Sequence, residues 1–276
     1  MDYFLLNINV NHKNEVDRWI SKNEFAPIFY GTTTIDQILN NQTTLTPLQF
    51  RDAYLFVTTF KEQREDVIVL SIGNEHVYIY KQEGELGERD ERPYKGELTK
   101  GCPIEILKKE EIKKCPLILT TIKSSRYMSA GTFREINREK YLGNVLSLEY
   151  VLSGQRQKVN SFKEYLLCLS SLEFETLIAK MFEENGYFVP AYKGGYIKDF
   201  DLFCRKGEET RSLQIKLKMG KEDNKNVDSY YCIINETKTK RENVKDWEDV
   251  EQELKDRPKT MKWLNKTLHW VILSKE

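Results

Sequence analysis

The chain is short of metal-binding side chains. It has three histidines and five cysteines in 276 residues. His12, His76 and His269 are isolated, and no C-x-x-C pair occurs. That pattern argues against a structural zinc site. Cysteines 102, 115, 168, 204 and 232 are odd in number and scattered. Cys168 and Cys204 lie in apolar surroundings and read as reduced core residues. Net charge is also missing, with 43 basic and 43 acidic residues. Global charge therefore lends no support to nucleic-acid binding, and any DNA contact has to come from a local basic face. No apolar run approaches the length that spans a bilayer. Met1-Asp2-Tyr3-Phe4-Leu5-Leu6 has no basic stretch ahead of its apolar residues, as a secretory signal needs. The expectation is a cytoplasmic protein with no membrane partner. Internal repeats and low-complexity tracts are lacking too.

What is present describes a folded chain. Hydrophobic residues make up 39% and aromatics 12%, enough for a core. A charged fraction of 31% and a mean hydropathy of −0.60 give a well-solvated surface. The length accommodates two ordinary domains or one large one. In the first half, strands are predicted at 3–10, 25–31, 66–71, 77–82 and 104–107. Short helices are predicted at 14–22, 35–39, 47–54 and 110–114, and a longer apolar one at 142–152. The polar run 83–101, with Pro93 and several glycines, predicts a surface loop. Ser153-Gly154-Gln155-Arg156-Gln157-Lys158 is polar and places a boundary between an α+β domain at 1–155 and a second domain at 156–276.

The second half is organised around 199–218. Leu202-Phe203-Cys204 is an apolar strand core, Lys206-Gly207-Glu208-Glu209 a turn, and 213–217 an alternating strand. Alternation puts Leu213, Ile215 and Leu217 on one face and Gln214, Lys216 and Lys218 on the other. An antiparallel pairing brings Asp201 near Gln214 and Lys216. A carboxylate, an amide carbonyl and a lysine at the end of a hairpin are groups able to hold a hard cation and an attacking water. Before this hairpin, apolar residues from Phe162 to Phe182 recur at helical spacing, and Gly186 closes that helix. After it come a strand at 230–235, a helical region at 246–267 broken by Pro258, and a closing strand at 269–273.

Taken in order, these segments resemble the PD-(D/E)xK nuclease superfamily, most closely its Mrr-like restriction endonuclease branch. The matching residues are the helix Ser170–Lys180 with Phe174-Glu175, the turn Gly186-Tyr187, Lys193-Gly194-Gly195, Asp199-Phe200-Asp201-Leu202, and Gln214-Ile215-Lys216. They cover roughly the last two-fifths of the chain. The resemblance implies an α/β restriction-endonuclease-like domain, a mixed sheet flanked by helices. It implies DNA phosphodiester hydrolysis with Mg²⁺, for which Mn²⁺ substitutes. Asp201, the Ile215 carbonyl and Glu175 would hold the metal and its waters. Gln214 stands where the family usually has Glu or Asp, so affinity for metal would be lower. Lys216 would orient the attacking water. Asp199 competes with Asp201 for the ligand role. The loop 194–198 departs from the family by carrying Tyr196, Ile197 and Lys198 in place of an acidic residue, which bears on activity more than on fold. Lys193, Lys198, Lys218 and Lys221 read equally as a phosphate-facing rim and as ordinary surface lysines. A homodimer is expected, since one such site cuts one strand.

Residues 67–136 of the first domain are similar to PUA-like folds, including the EVE and YTH branches. Those families read a modified base in an aromatic pocket, and modification-dependent restriction enzymes join such readers to Mrr-like nucleases. Trp19, Phe29, Tyr30, Tyr54 and Phe56 are residue types that stack on bases, though core positions suit them better. Arg126, Thr132 and Arg134 lie in a polar stretch that could meet phosphate. The readings left open are a restriction or anti-phage endonuclease, a nuclease effector switched on by a small nucleotide or a protein, and a non-catalytic binding protein. Sequence does not separate DNA from RNA.

Overall fold

A computed structural model describes residues 1–10, 13–89, 98–124, 132–191, 200–220, 227–236 and 242–274. The chain folds as two compact units, Met1–Gly154 and Gln155–Glu276. Both are mixed α and β.

The first unit is built on a mixed, curled sheet. Its strands are β1 (Asp2–Leu6), β2 (Asn9–Val10), β3 (Lys13–Asn14), β4 (Phe25–Phe29), β5 (Val67–Ile72), β6 (His76–Gln82), β7 (Gly87–Arg89), β8 (Thr99–Glu111) and β9 (Phe133–Glu135). The main sheet runs β4-β8-β6-β5-β1-β9, with β7 alongside β8 and β2 and β3 in a small ladder of their own. β1 lies parallel to β5 and antiparallel to β9. Helices α1 (Ile35–Leu39), α2 (Pro47–Lys61), α3 (Leu117–Thr120) and α4 (Leu142–Ser153) accompany it.

Two apolar layers form because β1 is buried on both sides. Phe4 and Leu6 join Ala53, Phe56, Val57 and Phe60 of α2. Tyr3 and Leu5, pointing the other way, join Val145, Leu148 and Val151 of α4. Burying a side chain such as Leu5 completely contributes about 2 kcal/mol.

Sequence and structure part at several places here. The strand expected at 3–10 ends at Leu6 and resumes as β2, and the helix expected at 14–22 begins at Asp17, after β3. The helix expected at 47–54 continues to Lys61. The β-branched run Val57-Thr58-Thr59 disfavours that locally, but Ala53, Phe56, Val57 and Phe60 make one buried stripe at helical spacing. The loop expected at 83–101 contains β7, and its last residues already belong to β8, where Thr99 and Lys100 are fully buried. The helical turn expected at 110–114 begins inside β8 and is helical only at Ile112–Lys114. Gly101 allows β8 to approach β4: a Cβ there would meet the Ala26 carbonyl oxygen at 2.1 Å.

The second unit has β10 (Gln157–Val159), β11 (Phe188–Ala191), β12 (Leu202–Lys206), β13 (Glu209–Met219), β14 (Ser229–Asn235), β15 (Val244–Lys245) and β16 (Val271–Leu273). Its helices are α5 (Phe162–Leu166), α6 (Ser171–Glu184), α7 (Trp247–Leu254) and α8 (Pro258–Thr267). Five strands pair in the order β11-β12-β13-β14-β15, with the last three parallel. The closing strand does not extend this sheet. β16 pairs in parallel with β10 in a separate two-stranded ladder.

Local chemistry sets the helix ends. Ser170 and Glu173 form a reciprocal capping box at the start of α6. Gly186, at φ +83°, lets the chain leave it. Glu184 accepts the N–H groups of Lys259 and Thr260 at 3.0 and 2.8 Å, pinning the start of α8 to the end of α6. Among the described residues no helix is long and apolar enough to cross a membrane.

Candidate active site

The hairpin β12–β13 turns through Gly207-Glu208, with Gly207 at φ +61°. A two-residue loop needs positive φ, and glycine adopts it without strain. The loop sets the register. Leu202 faces Leu213 and Lys206 faces Glu209, so one step beyond Leu202 brings Asp201 opposite Gln214. The Asp201 N–H donates to the Leu213 carbonyl at 2.8 Å, holding the first residue of the ladder.

The β12 end of this sheet is buried on one face and open on the other, while further along Gln214 and its β14 neighbours Tyr230 and Cys232 are buried too. Leu202, Cys204, Leu213 and Ile215 are buried on one face. Ile215 shares that face with Tyr231 on the parallel neighbour β14, and Tyr231 meets Phe182 of α6 edge to face at 6.2 Å. Asp201, Phe203, Arg205, Gln214 and Lys216 occupy the other face, as the period of two requires.

Hydrogen bonds gather on the Asp201 carboxylate. Its Oδ2 accepts the Ile215 backbone N–H at 2.8 Å. The same oxygen accepts the Gln214 side-chain amide. Gln214 is 2% exposed, and its Oε1 has no hydrogen-bond partner. A buried amide oxygen without a partner costs about 1–3 kcal/mol, so this edge of the site is built with one acceptor to spare. Lys216 is half-buried on the same face as Gln214, two residues further along β13.

The structure places the other predicted residues as follows. Glu175 is half-buried on the second turn of α6, beside its buried stripe of Phe174, Ile178 and Ala179. Its helix packs through Phe182 on Tyr231, the neighbour of Ile215 on β14. The hydrogen bonds on Asp201 join Gln214 and Ile215, and none of these reaches Glu175 or Lys216. Lys218 is exposed, and its Nζ pairs with Glu236 at 2.7 Å. Lys193, Lys198, Asp199, Lys221 and Arg126 lie outside the described residues. Among the described residues no group of three or more His, Cys, Asp or Glu side chains is gathered for a metal. Asp201 and the spare Gln214 oxygen, with the Ile215 carbonyl, are a sparse oxygen set of the kind Mg²⁺ accepts, since it retains several waters.

The first unit holds a second polar site. A cavity of about 580 Å³ is lined by Asn7, Phe29, Tyr30, Thr33, Asp52 and Thr132, among others. Beneath it Arg134 Nη1 pairs with Asp52 Oδ1 at 2.9 Å, and Asp52 Oδ2 accepts the Thr132 N–H at 2.8 Å. Burial pushes the Asp52 carboxyl up, opposed by the Thr132 N–H and by Arg51. Burial raises the Tyr30 phenol as well, which keeps it a hydrogen-bond donor across the physiological range. Arg134 is thus a buried ion-pair partner at 3% exposure, not a phosphate contact. Trp19 and Phe56 belong to the core, Tyr54 is on the surface, and of the five aromatic candidates Phe29 and Tyr30 reach the cavity. Asp52 was not singled out from the sequence. Its signal was a carboxylate set beside the apolar stripe of α2.

Comparison of the chain with protein-family models, with curated proteins and with solved structures gives no match in any of the three.

Proposed function

We propose that the chain is a metal-dependent endonuclease that hydrolyses DNA phosphodiester bonds, of a restriction or anti-phage type. The observation that carries this reading is the cross-strand pair Asp201–Gln214, with Ile215 and Lys216 next in line on β13. The second unit would be the PD-(D/E)xK-type domain. Asp201, the Gln214 Oε1 and the Ile215 carbonyl would hold Mg²⁺ or Mn²⁺. Such a metal, when bound, supplies an activated water and charge for the phosphorane-like transition state.

The chain's own groups then have distinct tasks. Asp201 is oriented by the Ile215 N–H, which fixes one carboxylate oxygen and leaves the other available. Gln214 donates to Asp201 as it stands; turning its amide over presents Oε1 to the same place. Lys216 carries positive charge on this face, where an attacking water would be oriented and the scissile phosphate would gain charge. Glu175, on α6, would hold a metal-bound water or a second ion.

The first unit would select the target. Its cavity has the size of a small-molecule site, and among the described residues no Lys, Arg or His lines it. That lining suits an uncharged target such as a modified base better than a phosphorylated nucleotide. The PUA-like reading agrees with that preference. The chain would act as a homodimer in the cytoplasm.

The deciding experiment is cleavage of modified and unmodified DNA with Mg²⁺ or Mn²⁺, comparing wild type with Asp201→Asn and Lys216→Met. Cleavage by the wild type alone is expected. Undiminished cleavage by both variants removes this site from the reaction.

A further inference from the structure

The face that carries Asp201 also carries large aromatic side chains that no core takes up. Phe188 is 58% exposed and Phe203 36% exposed, while Leu202 and Cys204 on the reverse face are fully buried. Isolated exposed apolar residues are ordinary, but these are grouped. Phe188 pairs with Arg205 across the β11–β12 ladder, and the Arg205 guanidinium lies 5.7 Å from the Phe188 ring centre. Phe203 sits between Arg205 and Asp201 on that face, with the Phe200 ring 6.0 Å away. The strand rise places Phe203 about 7 Å from Asp201. Among the described residues Arg205 has no ion-pair partner, so its charge is available to a polyanion.

Rings standing on a sheet face, interleaved with a cation, beside a candidate phosphodiester site, match unpaired bases on a charged backbone. Duplex bases are already stacked on one another and cannot use them. Arg205 over Phe188 adds a second planar surface with charge.

We propose that Phe188, Phe203 and Arg205 form a stacking platform for unpaired DNA bases, which leads a single strand to the Asp201–Gln214–Lys216 face. This inference rests on the nuclease reading of that face and names the form of DNA it takes. The three are binding residues and touch no reacting atom.

The test is fluorescence anisotropy of the full chain with labelled dT15 and with a 15-base-pair duplex, in EDTA so that nothing is cut. The wild type should bind dT15 the more tightly. Phe188→Leu and Phe203→Leu keep an apolar side chain and remove the ring; each should weaken dT15 binding about tenfold and leave duplex binding unchanged. Phe203→Tyr should retain binding. Equal affinity for the two probes, or leucine variants that bind dT15 undiminished, overturns the platform. If the leucine variants instead lower the molar mass by light scattering, the face is a contact between copies and the proposal also fails. Failure of the nuclease reading looks different: Asp201→Asn would cut DNA normally while the ring dependence of dT15 binding persisted.

Discussion

The Asp201 carboxylate accepts the backbone N–H of Ile215 at 2.8 Å, across the open end of the β12–β13 hairpin. One side chain therefore both ties the hairpin and presents an acid at its mouth. Asp201→Asn keeps the shape and removes the charge. It should lower metal-dependent DNA cleavage by about a hundredfold or more while shifting the thermal midpoint by only a few degrees. Activity assays beside calorimetry separate the two effects.

Gln214 offers the opposite manipulation. Gln214→Glu puts a second carboxylate against Asp201 in a buried place. Without metal, the two charges repel and the second unit should melt at lower temperature than wild type. With millimolar Mg²⁺ the order should reverse, because a ligand that binds only the folded state stabilises it by mass action. Thermal melts with and without Mg²⁺ test this. A variant that melts identically in both conditions would show that no cation reaches the pair.

The buried Arg134–Asp52 pair should behave as a unit. Removing one partner strands the other charge, a loss of about 3–5 kcal/mol. Arg134→Met and Asp52→Asn should each be strongly destabilising in urea unfolding. The double variant should lose clearly less than the sum of the singles.

Backbone approach at Gly101 makes a sharper prediction. Alanine there drives a methyl group into the Ala26 carbonyl, so β4 and β8 must part. Gly101→Ala should cost at least about 2 kcal/mol in the same measurement, far more than an alanine at half-buried Gly87, where a Cβ meets nothing within 4 Å.

Asp228 links stability to pH. It accepts the Ser212 N–H at 2.7 Å and the Ser212 hydroxyl at 2.8 Å, and these bonds hold its carboxyl below the ordinary range. A carboxylate depressed by folding contributes its stabilisation fully above the ordinary aspartate range and loses it as pH falls through the folded-state value. The stability difference between wild type and Asp228→Asn should therefore be largest near neutral pH and shrink below about pH 4. A gap that widens on acidification would contradict the assignment.

Much of the candidate site was legible in the residues because it depends on neighbours along the chain. Period-two alternation and a glycine turn put Gln214 and Lys216 on one face and bring Asp201 opposite, whatever the rest of the molecule does. The start of the helical region at Asp246 and its break before Pro258 are local in the same way. Only tertiary structure decided the remainder. It packed α6 on Tyr231 beside Ile215 and paired β16 with β10 instead of the main sheet. It carried α2 through its β-branched residues to Lys61 and sank Arg134 against Asp52. Each of those outcomes rests on burial between segments far apart in sequence, which outweighs local preference and leaves no periodic trace.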